Sequence, residues 1–294
     1  MPSTLHERSS SLPVTAPFAL DHSLSFLCSF PPTSGEQALA PRALTKALSI
    51  GGRAVLARIE EREGALSCTT WSEGPRPERA HAASVARLRF QLSLDDDLAP
   101  LAERARTDRA FASIARRFHG HHHVKFPSPF EIAVWAVLAQ RNMRLGKLMK
   151  DALVRALGPT LTHEGVTHRA FPEPEALTDV DAVRAIVPAH ADAIVAIARA
   201  FSDAALVPAL LAAPLDEAEA RLRSLPRIGP WSAAFILFRG LGRMERLAER
   251  SDPILRAARR AYGPRTEGEL RDIAASYGSF CGYWALYLRR AAGA

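Results

Sequence analysis

The stretch 225–238, Leu-Pro-Arg-Ile-Gly-Pro-Trp-Ser-Ala-Ala-Phe-Ile-Leu-Phe, places a glycine and a proline together between a polar amphipathic segment and a strongly apolar one. Leu222 and Leu225 end the first segment, and Pro226 cannot continue a helix. Gly229 allows a sharp turn and close approach of another molecule. Pro230 suits the first position of a helix, where a missing N–H costs nothing. Trp231, Ala234, Phe235 and Phe238 then follow at helical spacing. The pattern predicts a helix–turn–helix within about 215–240. The N–H groups of Gly229, Trp231, Ser232 and Ala233 should point outward from the start of the second helix. Free donors and the positive end of the helix dipole make such a start an anion site, phosphate included. A plain corner in a helical bundle would use the same residues.

Working outward, everything after about residue 95 carries helical periodicity. Ser128, Pro129 and Glu131 form a capping-box start for a helix through Gln140, with Phe130, Val134, Val137 and Leu138 on one face. Another helix covers about 144–157 and stops at Gly158-Pro159. Residues 171–177 read as an extended lead-in to a further helix, and 190–201 and 215–225 as two more. Before residue 95 the pattern is mostly strand-like. Residues 23–30 alternate Leu24, Phe26, Cys28 and Phe30, and 53–71 read as two strands around a turn at Gly64. Residues 85–94 alternate less cleanly. One helix is expected at 40–49, an exposed loop at 72–84 and a loose tail at 1–16. The fold class expected is α+β, mainly α: a small antiparallel sheet domain at 17–94, then helical domains at 95–294.

The 294 residues suffice for two domains, and 48% hydrophobic with 23% charged composition excludes a disordered chain. A formal charge of +7, mostly from arginine, favours a polyanionic partner. Cys28, Cys68 and Cys281 lie far apart, which argues against a zinc site, an iron–sulfur cluster or a disulfide framework. No signal-peptide or membrane-spanning stretch is evident, so a cytoplasmic location without membrane partners is expected. His119, His121, His122 and His123 read as an exposed polar loop without a matching metal-ligand cluster.

The segment 225–243, followed by Ser251-Asp252-Pro253-Ile254-Leu255-Arg256, resembles the helix-hairpin-helix DNA glycosylases, nearest to the 3-methyladenine DNA glycosylase II, or alkylation-repair, branch. Residues 129–140, 170–177 and 277–290 match further segments of that branch. Residues 18–27 and 35–48 resemble its small N-terminal domain. The resemblance implies a monomer acting on double-stranded DNA at the nucleoid. It would hydrolyse the N-glycosidic bond of alkylated bases such as 3-methyladenine or 7-methylguanine, with no cofactor required.

The family's catalytic aspartate falls on Asp252, which read alone is an N-cap before Pro253. Relatives that also cut the backbone use a lysine where this chain has Trp231. An indole cannot form a Schiff base, so no lyase activity is expected. Trp231, Phe235, Phe280 and Tyr283 would line the base pocket. Arg141 and Met143 would be wedges in the Gln140-Arg141-Asn142-Met143 turn, which departs from the family's Gln-Gln-aliphatic-Ser pattern. Arg227, Arg239, Arg243 and Arg246 are candidate phosphate contacts. The main-chain carbonyls of Arg223, Leu225 and Ile228 would hold a monovalent cation at the hairpin. A competing possibility is a DNA-binding protein that keeps the hairpin but has lost turnover.

Overall fold

The computed structural model describes residues 5–247 and 252–293. Five strands form one antiparallel sheet: β1 (Leu5–Ser11), β2 (Gln37–Ala40), β3 (Ala43–Ile50), β4 (Arg53–Arg62) and β5 (Ala65–Glu73). Their spatial order is β1-β5-β4-β3-β2. The β4–β5 hairpin turns at Glu63 and Gly64, both at positive φ, as the sequence foretold. Two helices complete this domain, α1 (Leu20–Cys28) and α2 (Pro77–Gln91). Their Leu20, Leu24, Leu27, Leu88 and the following Leu92 share a core with Leu44, Leu48, Ile59, Leu66 and Cys68 from the sheet.

Five local expectations are corrected here. Residues 23–30, expected as a strand, are largely α1: Leu20, Leu24 and Leu27 recur at helical spacing and are buried. Residues 40–49, expected as a helix, contribute strand β3. It is buried on both faces, so it shows no alternation, and sheet pairing overrides its Ala-Leu helix propensity. The expected loop 72–84 and strand 85–94 mostly form α2, with Pro77 in its first turn and Ser84, Leu88 and Gln91 inward. Within the expected tail 1–16, β1 pairs with β5 over seven residues, Leu5↔Glu73 through Ser11↔Ser67. Its polar side chains hid that, because backbone hydrogen bonds carry no sequence signature.

The helical part comprises α3 (Ala99–Thr107), α4 (Ala112–Arg117), α5 (Pro129–Leu138), α6 (Met143–Leu157), α7 (Val180–Ile186), α8 (Ala191–Phe201), α9 (Leu206–Ala212), α10 (Leu215–Arg223), α11 (Pro230–Ile236), α12 (Asp252–Tyr262), α13 (Glu267–Ala275) and α14 (Cys281–Ala291). A short hairpin, β6 (Thr160–His163) with β7 (Val166–Arg169), follows α6 and was not anticipated. It packs on the sheet, where His163 stacks on Trp71 at 4.5 Å. Gly158 caps α6 with extended backbone, and the site demands glycine because a Cβ there would lie 2.3 Å from the Ala170 carbonyl oxygen.

The helices build two cores. One surrounds α5 and takes in α8, α10 and α11. The other surrounds α14 and takes in α3, α12 and α13. Helix α5 is buried all round, not on one face. Its Ser128 Oγ accepts the Glu131 N–H at 3.1 Å, but the capping box is incomplete. The Glu131 carboxylate instead turns inward to Lys150 Nζ at 2.6 Å. Lys150 also donates to Glu36 Oε1 at 2.7 Å and to the Pro32 carbonyl at 3.0 Å. Burial works against the Lys150 charge, but the two carboxylates hold its pKa above the ordinary value. This ion cluster ties α6 and α5 to the segment before β2.

Candidate functional site

Between α10 and α11 the chain makes the expected hairpin. The Ile228 N–H returns to the Leu225 carbonyl at 3.2 Å, and Arg227 takes a left-handed φ of 62°. Such a backbone costs an L-residue roughly 1–2 kcal/mol and must be held from outside. Two neighbours hold it. Gln140 donates from Nε2 to the Arg227 carbonyl at 2.5 Å, and Arg227 Nη1 lies 2.9 Å from His190 Nδ1. The end of α5 and the hairpin tip are thereby fixed together. A Cβ on Gly229 would meet nothing within 4 Å, so the chain's own packing does not demand glycine there.

Trp231 opens α11 at 54% exposure, and its indole stacks on Phe235 at 5.1 Å and 12°. Behind Phe235 an aromatic chain runs inward. Phe126 meets Phe235 at 6.4 Å, Phe30 meets Phe126 at 5.4 Å, and Phe26 meets Phe30 at 4.7 Å. Helix α11 then widens into a π-turn, Leu237–Leu241, which closes at Gly242 with φ 74°. The turn carries Phe238 and Arg239 beside these rings.

Arg239, expected on a phosphate, is instead only 9% exposed. Its guanidinium lies 4.5 Å from the Phe26 ring, 5.1 Å from Phe238 and 5.9 Å from Phe30. Nη1 donates to the Val124 carbonyl at 2.9 Å and to His123 Nδ1 at 3.2 Å. His123 Nε2 donates onward to the Phe238 carbonyl at 3.0 Å, which fixes a neutral tautomer. Burial, with the Arg239 charge beside it, drives the His123 pKa well below its ordinary value. Burial first, then Arg289, lowers the Arg239 pKa to about 9, so it stays charged at neutral pH.

The histidine run is therefore not an exposed loop. His121, His122 and His123 are buried and only His119 is exposed. His122 bridges the Ser93 and Pro17 carbonyls at 2.6 and 2.7 Å. Among the described residues no group of three His, Cys, Asp or Glu is placed to hold a metal ion.

Two more arginines are structural. Arg243 gives its guanidinium to the Leu210 and Ala213 carbonyls at 2.7 and 3.0 Å and to Glu245 at 2.6 Å, closing the end of α9. Arg246 pairs with Asp216 and Glu219 on α10. Arg243 is thus withdrawn as a phosphate contact. The Ala233 N–H is likewise spent inside the helix, on the Gly229 carbonyl at 2.9 Å. Of the expected anion donors, the N–H groups of Gly229, Trp231 and Ser232 remain.

Asp252 begins α12 itself rather than preceding it, and its side chain is exposed. No hydrogen bond holds its carboxylate among the described residues, so the expected clamp is not seen; Ser251 before it lies outside the described residues. Helix α12 packs on α14. There Gly282 is so close to Phe238 and Met244 that a Cβ would fall 3.0 Å or less from both side chains. Helix α14 thus joins the hairpin exit to the helix that carries Asp252. Phe280 is half-buried beside the start of α14. Tyr283 is not a pocket wall: it is 3% exposed, its hydroxyl donates to Asp96, and it accepts the His123 N–H at 3.1 Å.

The turn between α5 and α6 presents Arg141 and Met143 outward, Met143 at 59% exposure. Asn142, which no expectation covered, caps α6 by accepting the Leu145 N–H at 3.1 Å. Its position before Met143 is an ordinary N-cap signal. Leu145 and Leu148 extend the exposed apolar surface.

Solved structures of helix–hairpin–helix DNA glycosylases share this fold of a hairpin and two helical cores beside a small sheet. The 3-methyladenine DNA-glycosylase from Archaeoglobus fulgidus matches with a TM-score of 0.74 at 21% identity, covering 96% of this chain and 97% of its own. A Clostridium acetobutylicum 8-oxoguanine glycosylase/lyase bound to double-stranded DNA matches at 0.66 and 14%, covering 100% and 99%.

By sequence the chain is a homologue of proteins named DNA-3-methyladenine glycosylase and AlkA. It is 31% identical to the DNA-3-methyladenine glycosylase of Bacillus subtilis over 155 residues, 50% of this chain and 51% of that protein. It is 33% identical over 164 residues to a probable bifunctional transcriptional activator/DNA repair enzyme AlkA of Mycobacterium tuberculosis, covering 54% of this chain and 32% of that protein. The matched segment thus spans about half the length of the Bacillus relative and a third of the Mycobacterium one. No protein-family model matches the chain.

Proposed function

We propose that this chain is a monofunctional DNA glycosylase that hydrolyses the N-glycosidic bond of alkylated bases in double-stranded DNA. The observation that carries the reading is Trp231: a large, exposed indole stacked flat on Phe235, at the hairpin of a glycosylase fold. A base must leave the duplex to be cleaved, and an aromatic face receives it. Methylated purines carry positive charge, which such faces attract by about 0.5–2 kcal/mol each. Phe235 and Phe280 would continue the wall. Arg141 and Met143 would fill the gap left in the stack. Gly229, with open space where a side chain would stand, would let a phosphate reach the N–H groups of Trp231 and Ser232. Arg227, two positions before Gly229, would add charge beside that phosphate.

Asp252 would stabilise the cationic sugar formed as the bond breaks, and would orient the attacking water. The carbonyls of Arg223, Leu225 and Ile228 would hold a monovalent cation. Neutral oxygen donors suit such an ion, and the Leu225 oxygen keeps a second lone pair after accepting the Ile228 N–H. The ion would supply positive charge beside the phosphate. A non-catalytic DNA-binding role has one observation in its favour, the unheld Asp252 carboxylate. Chromatography of bases released from a methylated duplex separates the two: free methylated purines are expected, and their absence under saturating duplex binding would leave only the binding role.

A further inference from the structure

Helix α6 carries an exposed ridge that the base pocket does not use. Six large hydrophobic side chains are exposed among the described residues, and three of them, Met143, Leu145 and Leu148, stand in the first two turns of this one helix. Leu145 is 53% exposed and Leu148 58%. A single exposed leucine is ordinary, but a cluster marks a surface that something covers. Arg144, Leu145, Leu148 and Arg155 share one face, at spacings of three, four and seven residues, with Met143 at its tip. Arg141, Arg144 and Arg155 are all exposed, and among the described residues no carboxylate pairs with any of them. Asp151, at the edge of the face, is taken up by Lys147.

Charge and position together say what covers the ridge. Three arginines without acids call for an anionic partner. A second copy of the chain would set these arginines against one another. Three half-exposed side chains also fall far short of the about 800 Å² per partner that a stable dimer buries. Gln140 ties the start of the α5–α6 turn to the hairpin tip through the Arg227 carbonyl, and Asn142 caps α6 directly after that turn. The ridge and the hairpin therefore face a ligand as one rigid surface. Helix α11 packs on α5, while α6 packs on α5 and α7. The turn that carries Arg141 and Met143 thus stands between the hairpin and the body of α6.

We infer that Arg144, Leu145 and Leu148 form a second DNA contact, an apolar ridge edged with positive charge that lies against the undamaged strand of the duplex. The inference rests on the duplex-binding part of the reading above and not on turnover. The hairpin holds the strand whose base swings out to Trp231, and the wedge residues enter between the strands. What stands on the far side of the wedge meets the other strand. Leucine side chains pack well against sugars and base edges in a minor groove that a wedge has opened. Arg144, with Arg155 behind it, supplies charge for the phosphates of that strand. A leucine has no donor or acceptor, so this contact grips the undamaged strand without reading its sequence.

A duplex with one tetrahydrofuran abasic analogue is the probe, because it binds without being turned over. Its affinity, and that of its damaged strand alone, are measured for the wild type and for the double variant Leu145→Ser/Leu148→Ser. The variant should lose about tenfold on the duplex, as expected for burying the exposed halves of two leucines, and less than about twofold on the single strand. Equal losses on both probes, or no loss on the duplex, overturn the inference. Both side chains lie on the surface, so the melting temperature of the variant should match that of the wild type. A wild-type dimer on gel filtration that the variant turns into a monomer would assign the ridge to a second copy, which also overturns it. Leu148→benzoylphenylalanine reads the placement directly: on illumination the cross-link should fall on the undamaged strand, and a cross-link confined to the damaged strand, or none, contradicts it. Failure of the wild type to bind the duplex would overturn this inference together with the DNA reading, whereas duplex binding without base release would defeat the glycosylase reading alone.

Discussion

At the scale of single residues the account turns on charge and ring chemistry. Trp231 could be read from the sequence because Gly229-Pro230 fixes the start of a helix and places it in the first turn. Arg239 could not. Its burial depends on Phe26 and Phe30, which are more than two hundred positions away in sequence and lie in and just after a helix first read as a strand. Tyr283 was misplaced for the same reason: its partner Asp96 lies across the molecule. Since Trp231 has no amine, borohydride treatment of the protein with damaged duplex should yield no covalent adduct. A trapped protein–DNA band on a denaturing gel would show that another residue forms an imine.

At the scale of elements, the helices of the second half were legible because apolar residues at 3.6-residue spacing need no partner to be recognised. The N-terminal elements were less so. Around α1, Leu24, Phe26, Cys28 and Phe30 alternate with period two while Leu20, Leu24 and Leu27 fit 3.6, and β3 is buried on both faces. In α5 the Ser128 cap was legible but not the fate of Glu131, which depends on Lys150 reaching it from α6. That ion cluster yields a stability prediction. Lys150→Ala should destabilise the protein by about 3–5 kcal/mol, because Glu131 loses its buried partner and Glu36 is left with Lys46 and Lys147, each at 3.6 Å. Urea denaturation would measure it, and a loss under about 1 kcal/mol would mean that water reaches the cluster. Gln140→Ala should cost about 1 kcal/mol, the typical worth of one hydrogen bond, by freeing the left-handed Arg227 turn. The same titration would register that loss, and no change would mean that the hairpin holds itself.

At the scale of the whole molecule, the seam between sheet domain and helical cores holds two histidines, His121 and His123, that burial keeps neutral. Burial lowers the His121 pKa to about 3, and the His123 pKa falls well below its ordinary value. Groups with depressed folded pKa values bind protons more readily when unfolded. Stability should therefore be full above the unfolded histidine value near about 6.5 and decline as pH falls below it. Each such histidine adds a slope of about 1.4 kcal/mol per pH unit, and for His121 the decline continues to about pH 3. Melting temperatures unchanged between pH 7 and pH 5 would contradict this. None of it was visible in the sequence, where the histidine run reads as a polar loop. The central proposal concerns the fold's use: on the reading proposed above, the aspartate that opens α12 would, at about 4 Å from a sugar turning cationic, contribute roughly 4 kcal/mol at an effective dielectric near 20. The most direct test is the single-turnover rate of base release from methylated duplex, compared between wild type and Asp252→Asn with duplex affinity measured alongside. The account predicts a loss of about a thousandfold in rate with affinity nearly unchanged. Equal rates from the two proteins would contradict it.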